Sequence, residues 1–403
     1  MITRLHGMRS QHKLFLFAAF VVAIILLRFV VYDRCLKLSV NSYQVLDDHN
    51  RARLRDETAV ARTRYVLLYT SLFSANRWGL PAETLGPDYF ALKHCPATNC
   101  VLTSDHGLLS SVTEYDAVVF HVATPLDVSL PKVRSTGQIY VAAIMESPAH
   151  TRHLLALDTN YFNWTMSYRL DSDVLFNYLN IVDIESGEVI SPALLPAWRN
   201  GHREYVNESL IASVSQKRKM AAQFVSHCGA LSERDRLVEK MQSAGLEVDV
   251  YGSCGPLKCP RGNPECDTML DTMYWFYLSF ENSLCVDYVT EKLYNALKHT
   301  IVPVVFGGAD YARFVPPGSY INAQDYATVN ELVDYLFYLM DNPKEYVKYF
   351  WWKEHYALEH TNSYCELCQK LHSVGTREKV QYYKDIKAWW YDDACVEKSK
   401  IEF

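Results

Sequence analysis

Four polar side chains, Asn282, Tyr288, Glu291 and Lys292, stand between two strongly apolar runs in the stretch from Phe276 to Gly308. An ammonium such as that of Lys292 is a point charge for a diphosphate, and a carboxylate such as that of Glu291 accepts from sugar hydroxyls. On spacing alone Glu291 and Lys292 read equally as a solvated helix face, and Asn282 as a turn former. Glu146 is a second candidate. It opens Glu146-Ser147-Pro148, where an apolar run stops and a proline breaks the chain. A carboxylate there can take the proton of an attacking hydroxyl, or simply bond the turn that follows. Arg234 is a third, at the start of a helix after a strand, a suitable place for a phosphate clamp, with Arg236 as its neighbouring competitor.

The elements that must hold these groups follow from the apolar pattern. Tyr274 to Phe280 reads as a buried strand, followed by a polar turn at Glu281, Asn282 and Ser283. Asp287 or Thr290 starts a helix whose Val289, Leu293, Ala296 and Leu297 share one face. Thr300 to Phe306 is a second buried strand, ending at Gly307-Gly308. This is a strand–helix–strand unit of a parallel α/β sheet, in which ligands sit at the carboxyl ends of the strands and helix N-termini offer free N–H groups to anions. Upstream, YVLLYTSLF (65–73), AVVFHVA (117–123) and QIYVAAIM (138–145) are buried-strand runs spaced for a first α/β sheet. AAQFVSH (221–227), a helix from Arg236 to Ala244 closed by Gly245, and EVDVYG (247–252) open a second half. The division falls near 200–215, after the Gly- and Pro-punctuated segment from Ile184 to Pro196. Val329 to Met340 is an amphipathic helix, and Tyr346 to Tyr356 continues helical.

A net charge of −6 with no basic stripe argues against a nucleic-acid partner. Leu14 to Tyr32 is apolar apart from Arg28 and long enough to cross a bilayer. No small-residue cleavage site follows it, and Arg4, Arg9 and Lys13 place the N-terminus in the cytosol. The expectation is a single-pass anchor with a polar stem over 33–64 and the rest lumenal. Eleven cysteines, Cys35 at the membrane edge and the rest beyond it, suit an oxidising compartment. Cys95 and Cys100 imply either a local disulfide or two partners elsewhere. Cys254, Cys259 and Cys266 lack the paired spacing of a zinc site and point to disulfides. Cys365 and Cys368 form a CxxC, readable as a redox centre or half a zinc site. Asn163-Trp164-Thr165 and Asn207-Glu208-Ser209 are N-glycosylation sequons. Asp171-Ser172-Asp173 has the spacing of a divalent-metal site, yet Arg169 beside it favours a structural ion pair.

The string ENSLCVDYVTEKLYNAL, with VPVVFG behind it, resembles the signature of the α1,3-fucosyltransferases of glycosyltransferase family 10. The resemblance covers roughly residues 65–370. It implies an α/β fold of GT-B architecture, with two Rossmann-like domains facing each other. These are an acceptor-side domain over 65–205 and a GDP-fucose-binding domain over 206–360, followed by a C-terminal segment over 361–403. It implies an inverting transfer of L-fucose from GDP-fucose to a GlcNAc hydroxyl of a glycan, in a type II Golgi membrane protein. Glu146 would be the base, Arg234 and Lys292 would stabilise the departing diphosphate, and Asn282, Tyr288 and Glu291 would orient the nucleotide sugar. The CxxC would be a structural disulfide element. No metal or cofactor is required, while divalent-cation stimulation stays open. The chain departs from the vertebrate pattern after the second strand, where Phe120-His121 is followed by Val122-Ala123-Thr124 instead of a basic His-Arg-Asp-like segment. His121 is an acceptor-side candidate or a packed strand-end residue. The acceptor therefore remains open between the innermost GlcNAc of an N-glycan and a lactosamine antenna. The alternative reading is a catalytically inactive, membrane-tethered carbohydrate-binding protein of the same fold.

Overall fold

A computed structural model describes residues 62–403 apart from 73–77, 79, 81–84, 87, 124–129, 152–159, 202–203, 261 and 374–381. The expected cytosolic tail, the membrane anchor at 14–32, nearly all of the 33–64 stem, Cys35 and Thr124 lie outside the described residues. Among the described residues no helix is long and apolar enough to cross a membrane. Residues 63–403 form one compact unit.

Six parallel strands make the first sheet: β1 (Arg64–Leu68), β2 (Cys100–Thr103), β3 (Ala117–His121), β4 (Ile139–Ile144), β5 (Trp164–Ser167) and β6 (Val174–Leu175), in the order β2-β1-β3-β4-β5-β6. β4 shows why its sequence is a continuous apolar run. Ile139, Val141 and Ala143 pack into one cluster, and Tyr140, Ala142 and Ile144 into another, so both faces of the sheet are covered. β7 (Asn180–Asp183) and β8 (Val189–Ser191) follow. Then β9 (Lys219–Phe224), β10 (Val248–Tyr251), β11 (Tyr274–Phe280), β12 (Val302–Phe306) and β13 (Ile321–Asn322) form a second parallel sheet, ordered β10-β9-β11-β12-β13. β14 (Tyr356–Glu359) returns to pair antiparallel with β7 in a small sheet, β14-β7-β8. That third sheet breaks the all-parallel expectation. Its strands are too short to leave an alternating signature.

The helices are α1 (Tyr89–Leu92), α2 (Glu208–Val214), α3 (Arg234–Ser243), α4 (Pro264–Thr272), α5 (Glu291–Leu297), α6 (Val329–Asp341), α7 (Pro343–Val347), α8 (Ser363–His372) and α9 (Ile386–Tyr391). The helix expected over 346–356 is not continuous. α7 ends at Val347, a 3-10 turn spans Lys348–Glu354, and the backbone then extends into β14. Burial of Phe350, Trp351 and Trp352 in succession needs more than one face, which a regular amphipathic helix does not supply.

All ten cysteines from Cys95 onward are paired. Cys95 bonds Cys365 and Cys100 bonds Cys368, across 270 and 268 residues, and so clamp α8 onto β2 and the segment between α1 and β2. Neither a local Cys95–Cys100 bridge nor a Cys365–Cys368 redox pair forms, because each sulfur has a distant partner. Cys254 bonds Cys228, Cys259 bonds Cys266, and Cys285 bonds Cys395.

One sequon is corrected. Asn163 is 1% exposed, and its carboxamide oxygen accepts from the Tyr140 N–H at 2.8 Å and from Arg134 at 3.2 Å. A carboxamide spent on aligning β4 beside β5 is closed to a glycan in this fold. Asn207 is half-buried and caps α2, its oxygen accepting from Leu210 N–H at 2.9 Å.

Candidate active site

The second sheet reverses its order between β9 and β11, and the crevice at the carboxyl ends of these strands is where an open α/β sheet binds ligands. A cavity of about 310 Å³ opens there. Val225, Ser226 and His227 follow β9, Gly252 follows β10, Asn282 follows β11, and Glu291, Lys292 and Asn295 come from α5. Phe224, Tyr251 and Tyr277 supply an aromatic wall, with Phe224 tilted edge-on to both tyrosines at centroid distances of 5.0 and 5.7 Å. Gly252 has φ +106°, and a Cβ there would lie 2.3 Å from the Val225 carbonyl oxygen, so only glycine lets the two loops close this wall.

Two cations reach the cavity. Lys292 Nζ is 3.3 Å from Glu281 Oε2, 3.2 Å from Glu291 Oε1 and 2.9 Å from Thr290 Oγ1. Burial alone would pull its ammonium down, but Glu281 and Glu291 more than offset that and hold it above the usual lysine value. Arg234 is 2% exposed. Its Nη1 donates to the Phe280 carbonyl at 2.9 Å and its Nη2 to the His227 carbonyl at 2.7 Å, which fixes the guanidinium beneath the ends of β9 and β11. Arg236, the competitor, is an exposed partner of Glu233 and lies outside the cavity wall.

Thr290 caps α5, which accounts for the helix beginning at Glu291 and not at Asp287. Thr290 N–H and Oγ1 both meet the carboxylate of Glu281 at 2.9–3.0 Å. Glu281 is 1% exposed, and burial raises its carboxyl while Lys292 opposes the rise. The amino end of α5 therefore carries an internal carboxylate, and the expected free N–H groups are in part already satisfied. The positive charge facing the cavity comes from side chains.

Tyr288 departs from expectation. It is 2% exposed, lies against Tyr168 at a centroid distance of 4.9 Å, and is not part of the cavity wall. Its hydroxyl donates to Glu146 Oε1 at 2.8 Å. Burial pushes this phenol far up, so it remains a donor throughout the physiological range. The preceding Asp287 takes φ +58°, an uncommon conformation for a non-glycine residue, and its Oδ2 accepts from the Leu170 N–H at 3.1 Å. That bond across to the first half of the chain aims Tyr288 at Glu146.

Glu146 follows the last residues of β4 and is only partly buried. Besides Tyr288, its Oε1 accepts from Ser147 N–H at 3.0 Å and from Asn282 Nδ2 at 3.3 Å. Among the described residues Oε2 meets no donor. Asn282 thus spans the cavity and the carboxylate, and Ser283 Oγ to Ser147 Oγ at 2.7 Å locks the two turns together. A carboxylate with one oxygen clamped and the other open, one residue from a cavity holding two cations, can accept a proton beside an anionic leaving group.

His121 is corrected as an acceptor contact. It is 1% exposed, and its ring meets Trp78 edge-on at 5.9 Å, so it packs inside the first sheet. The ion pair expected at 169–173 is present: Arg169 grips Asp171 through two bonds of 2.9 and 2.8 Å, while Asp173 accepts from Thr165 N–H and Tyr383. Sequence reasoning missed His227 and the aromatic wall. Their signal was position alone, at the end of a strand flanking the point where the sheet reverses.

Most of the chain is similar to known proteins. The family model described as glycosyltransferase family 10 (fucosyltransferase) C-term matches residues 214–389, and the one described as fucosyltransferase, N-terminal, matches residues 61–179. Alpha-(1,3)-fucosyltransferase C of Drosophila melanogaster is 44% identical over 366 residues, covering 90% of this chain and 85% of the relative. Alpha-(1,3)-fucosyltransferase fut-1 of Caenorhabditis elegans is 36% identical over 306 residues, 72% of this chain and 64% of that protein. A crystal structure of an alpha1,3-fucosyltransferase with GDP-fucose aligns with a TM-score of 0.47 at 16% identity, over 81% of this chain and 94% of the other.

Proposed function

The chain belongs to the fucosyltransferases of glycosyltransferase family 10, and on that premise we propose that it moves L-fucose from GDP-β-L-fucose to a GlcNAc hydroxyl of a glycoprotein glycan, in α1,3 linkage and with inversion. The observation that carries the reading is the carboxylate of Glu146, held through Oε1 by Tyr288, Asn282 and Ser147 beside the cavity that Lys292 and Arg234 enter.

In the reaction Glu146 Oε2 takes the proton of the acceptor hydroxyl. The oxygen of that acceptor hydroxyl forms a bond to the fucose anomeric carbon while the bond from that carbon to the β-phosphate oxygen breaks. The electron pair leaves with GDP, and Lys292 and Arg234 stabilise its charge as fixed cations. Displacement from the face opposite the phosphate turns a β donor into an α product. Glu291 and Asn282 offer an acceptor and a donor to the nucleotide sugar from the cavity wall, and Tyr288 acts on the base instead. The apolar segment at 14–32 and the lumen-type cysteine usage support a type II Golgi membrane protein.

Incubating the purified chain with GDP-fucose and a panel of N-glycan core and lactosamine acceptors tests the reading. Formation of an α-fucosylated product with release of GDP is expected. Absence of transfer to every GlcNAc-bearing acceptor would refute it.

A further inference from the structure

The turn that carries Glu146 makes a second contact with the rim of the donor cavity, through a pair of histidines. His150 ends the 3-10 turn Pro148–His150 that follows Glu146 and Ser147. Its ring meets the ring of His227 edge-on, at a centroid distance of 5.2 Å and an interplanar angle of 76°. His227 is exposed and lines the donor cavity together with Lys292, Arg234 and Asn282. The reaction as written above uses neither ring.

Both backbones are held while the rings keep free nitrogens. The His227 carbonyl accepts from Arg234 Nη2 at 2.7 Å, and the next residue, Cys228, is tied to Cys254. On the other side His150 N–H and Thr151 Oγ1 both donate to the Ser147 carbonyl at 3.0 Å, and Trp390 Nε1 donates to Thr151 Oγ1 at 2.8 Å. His150 Nε2 is buried, and among the described residues it has no hydrogen-bond partner. A buried polar nitrogen left so is costly, and His227 is the ring that lies against it. The two cations of the wall are already engaged: Arg234 Nη1 and Nη2 hold carbonyls, and Lys292 is shared among Glu281, Glu291 and Thr290.

Position along the cavity decides which part of the nucleotide sugar His227 meets. The base and the β-phosphate stand on opposite faces of one carbon, so the β-phosphate lies at the end of the cavity nearest Glu146. The contact with His150, four residues after Glu146, puts His227 at that same end. An imidazole carries at least one N–H in either protonation state, and such a donor suits a phosphate oxygen. We propose that His227 donates an N–H to the β-phosphate of GDP-fucose and of the departing GDP, with its second nitrogen paired to His150 Nε2. The proposal rests on the fucosyl-transfer reading above. His227 then touches the leaving group, and His150 is a positioning residue that couples this grip to the turn bearing the base.

The test measures dissociation constants for GDP and for GMP, which lacks the β-phosphate, by calorimetry on the full chain and on His227→Ala, His150→Phe and the double variant. His227→Ala changes an exposed side chain, and thermal melts check that each variant is folded. GDP is expected to bind about tenfold more weakly to His227→Ala, the loss of one hydrogen bond to a charged group, with GMP within about twofold. His150→Phe keeps a ring and removes both nitrogens. It should weaken GDP by about threefold or more and leave GMP unchanged, and it should add nothing once His227 is alanine. A preference for GDP over GMP that is the same in His227→Ala as in the unmodified chain overturns the phosphate contact. Losses that add in the double variant, or a His150→Phe variant with full GDP affinity, overturn the pairing of the two rings. Failure of the unmodified chain to bind GDP at all refutes the underlying reading and this proposal with it.

Discussion

Tyr288→Phe separates two roles for one residue. The family resemblance puts Tyr288 on the nucleotide sugar, whereas the structure points its hydroxyl at Glu146 Oε1 from 2.8 Å. A hydrogen bond of this length to a carboxylate, made by a residue only 2% exposed, is worth about 1.5–3 kcal/mol. Phenylalanine keeps the ring against Tyr168 and removes only the oxygen. Glu146 then retains Ser147 N–H at 3.0 Å and the longer Asn282 contact at 3.3 Å, and its open oxygen loses its aim. If the bond serves mainly to hold the base for the transition state, its loss appears in kcat as a fall of about 10- to 150-fold. KM for GDP-fucose should change less than threefold, because Tyr288 does not line the cavity. Initial rates of GDP release across donor concentrations, at saturating acceptor, read both constants. A tenfold rise in donor KM with kcat preserved would refute the reasoning and return Tyr288 to the donor.

Lys292→Ala should weaken GDP binding by about tenfold or more, measured by calorimetry, and cost about 3 kcal/mol of stability by leaving the buried Glu281 carboxylate without its cation. Burial already raises Glu281, and loss of Lys292 raises it further, so the folded variant keeps a proton that the unfolded chain gives up near the usual glutamate value. Its stability should therefore rise as pH falls from neutral toward that value, and adding Glu281→Gln should flatten the slope in thermal melts. Glycopeptide mass spectrometry of chain made in a secretory host should find glycan on Asn207 and none on Asn163; an occupied Asn163 would contradict its placement between β4 and β5. Non-reducing peptide maps should recover Cys95–Cys365 and Cys100–Cys368, and a Cys365–Cys368 peptide would count against the clamp on α8.

The strand–helix–strand unit was legible because both strands are buried on both faces and so read as apolar runs. β11 spans Tyr274–Phe280 as expected, and β12 starts at Val302, within the expected run. Glu146 was legible as a strand-end residue before a proline. What the sequence could not supply was direction. Tyr288 sits between Asp287 and Val289 in any reading, and only the left-handed turn at Asp287, held by Leu170 from another part of the chain, decides that the ring points to Glu146. The same holds for Asn163: its sequon is a local string, while its burial depends on Tyr140 in the neighbouring strand. Cysteine partners some 270 residues apart leave no local trace either. Glu281 was visible only as part of a polar turn, since its worth lies in the Thr290 and Lys292 that folding brings against it.

The central claim is that Glu146 takes the acceptor proton while the cations of the second sheet hold the nucleotide. Glu146→Gln keeps the shape and removes the basic oxygen, so the most direct measurement pairs fucosyl transfer with GDP affinity in this one variant. Transfer is expected to fall by about 10²- to 10⁴-fold with the GDP dissociation constant unchanged within threefold. Turnover within tenfold of the unmodified chain would contradict the account.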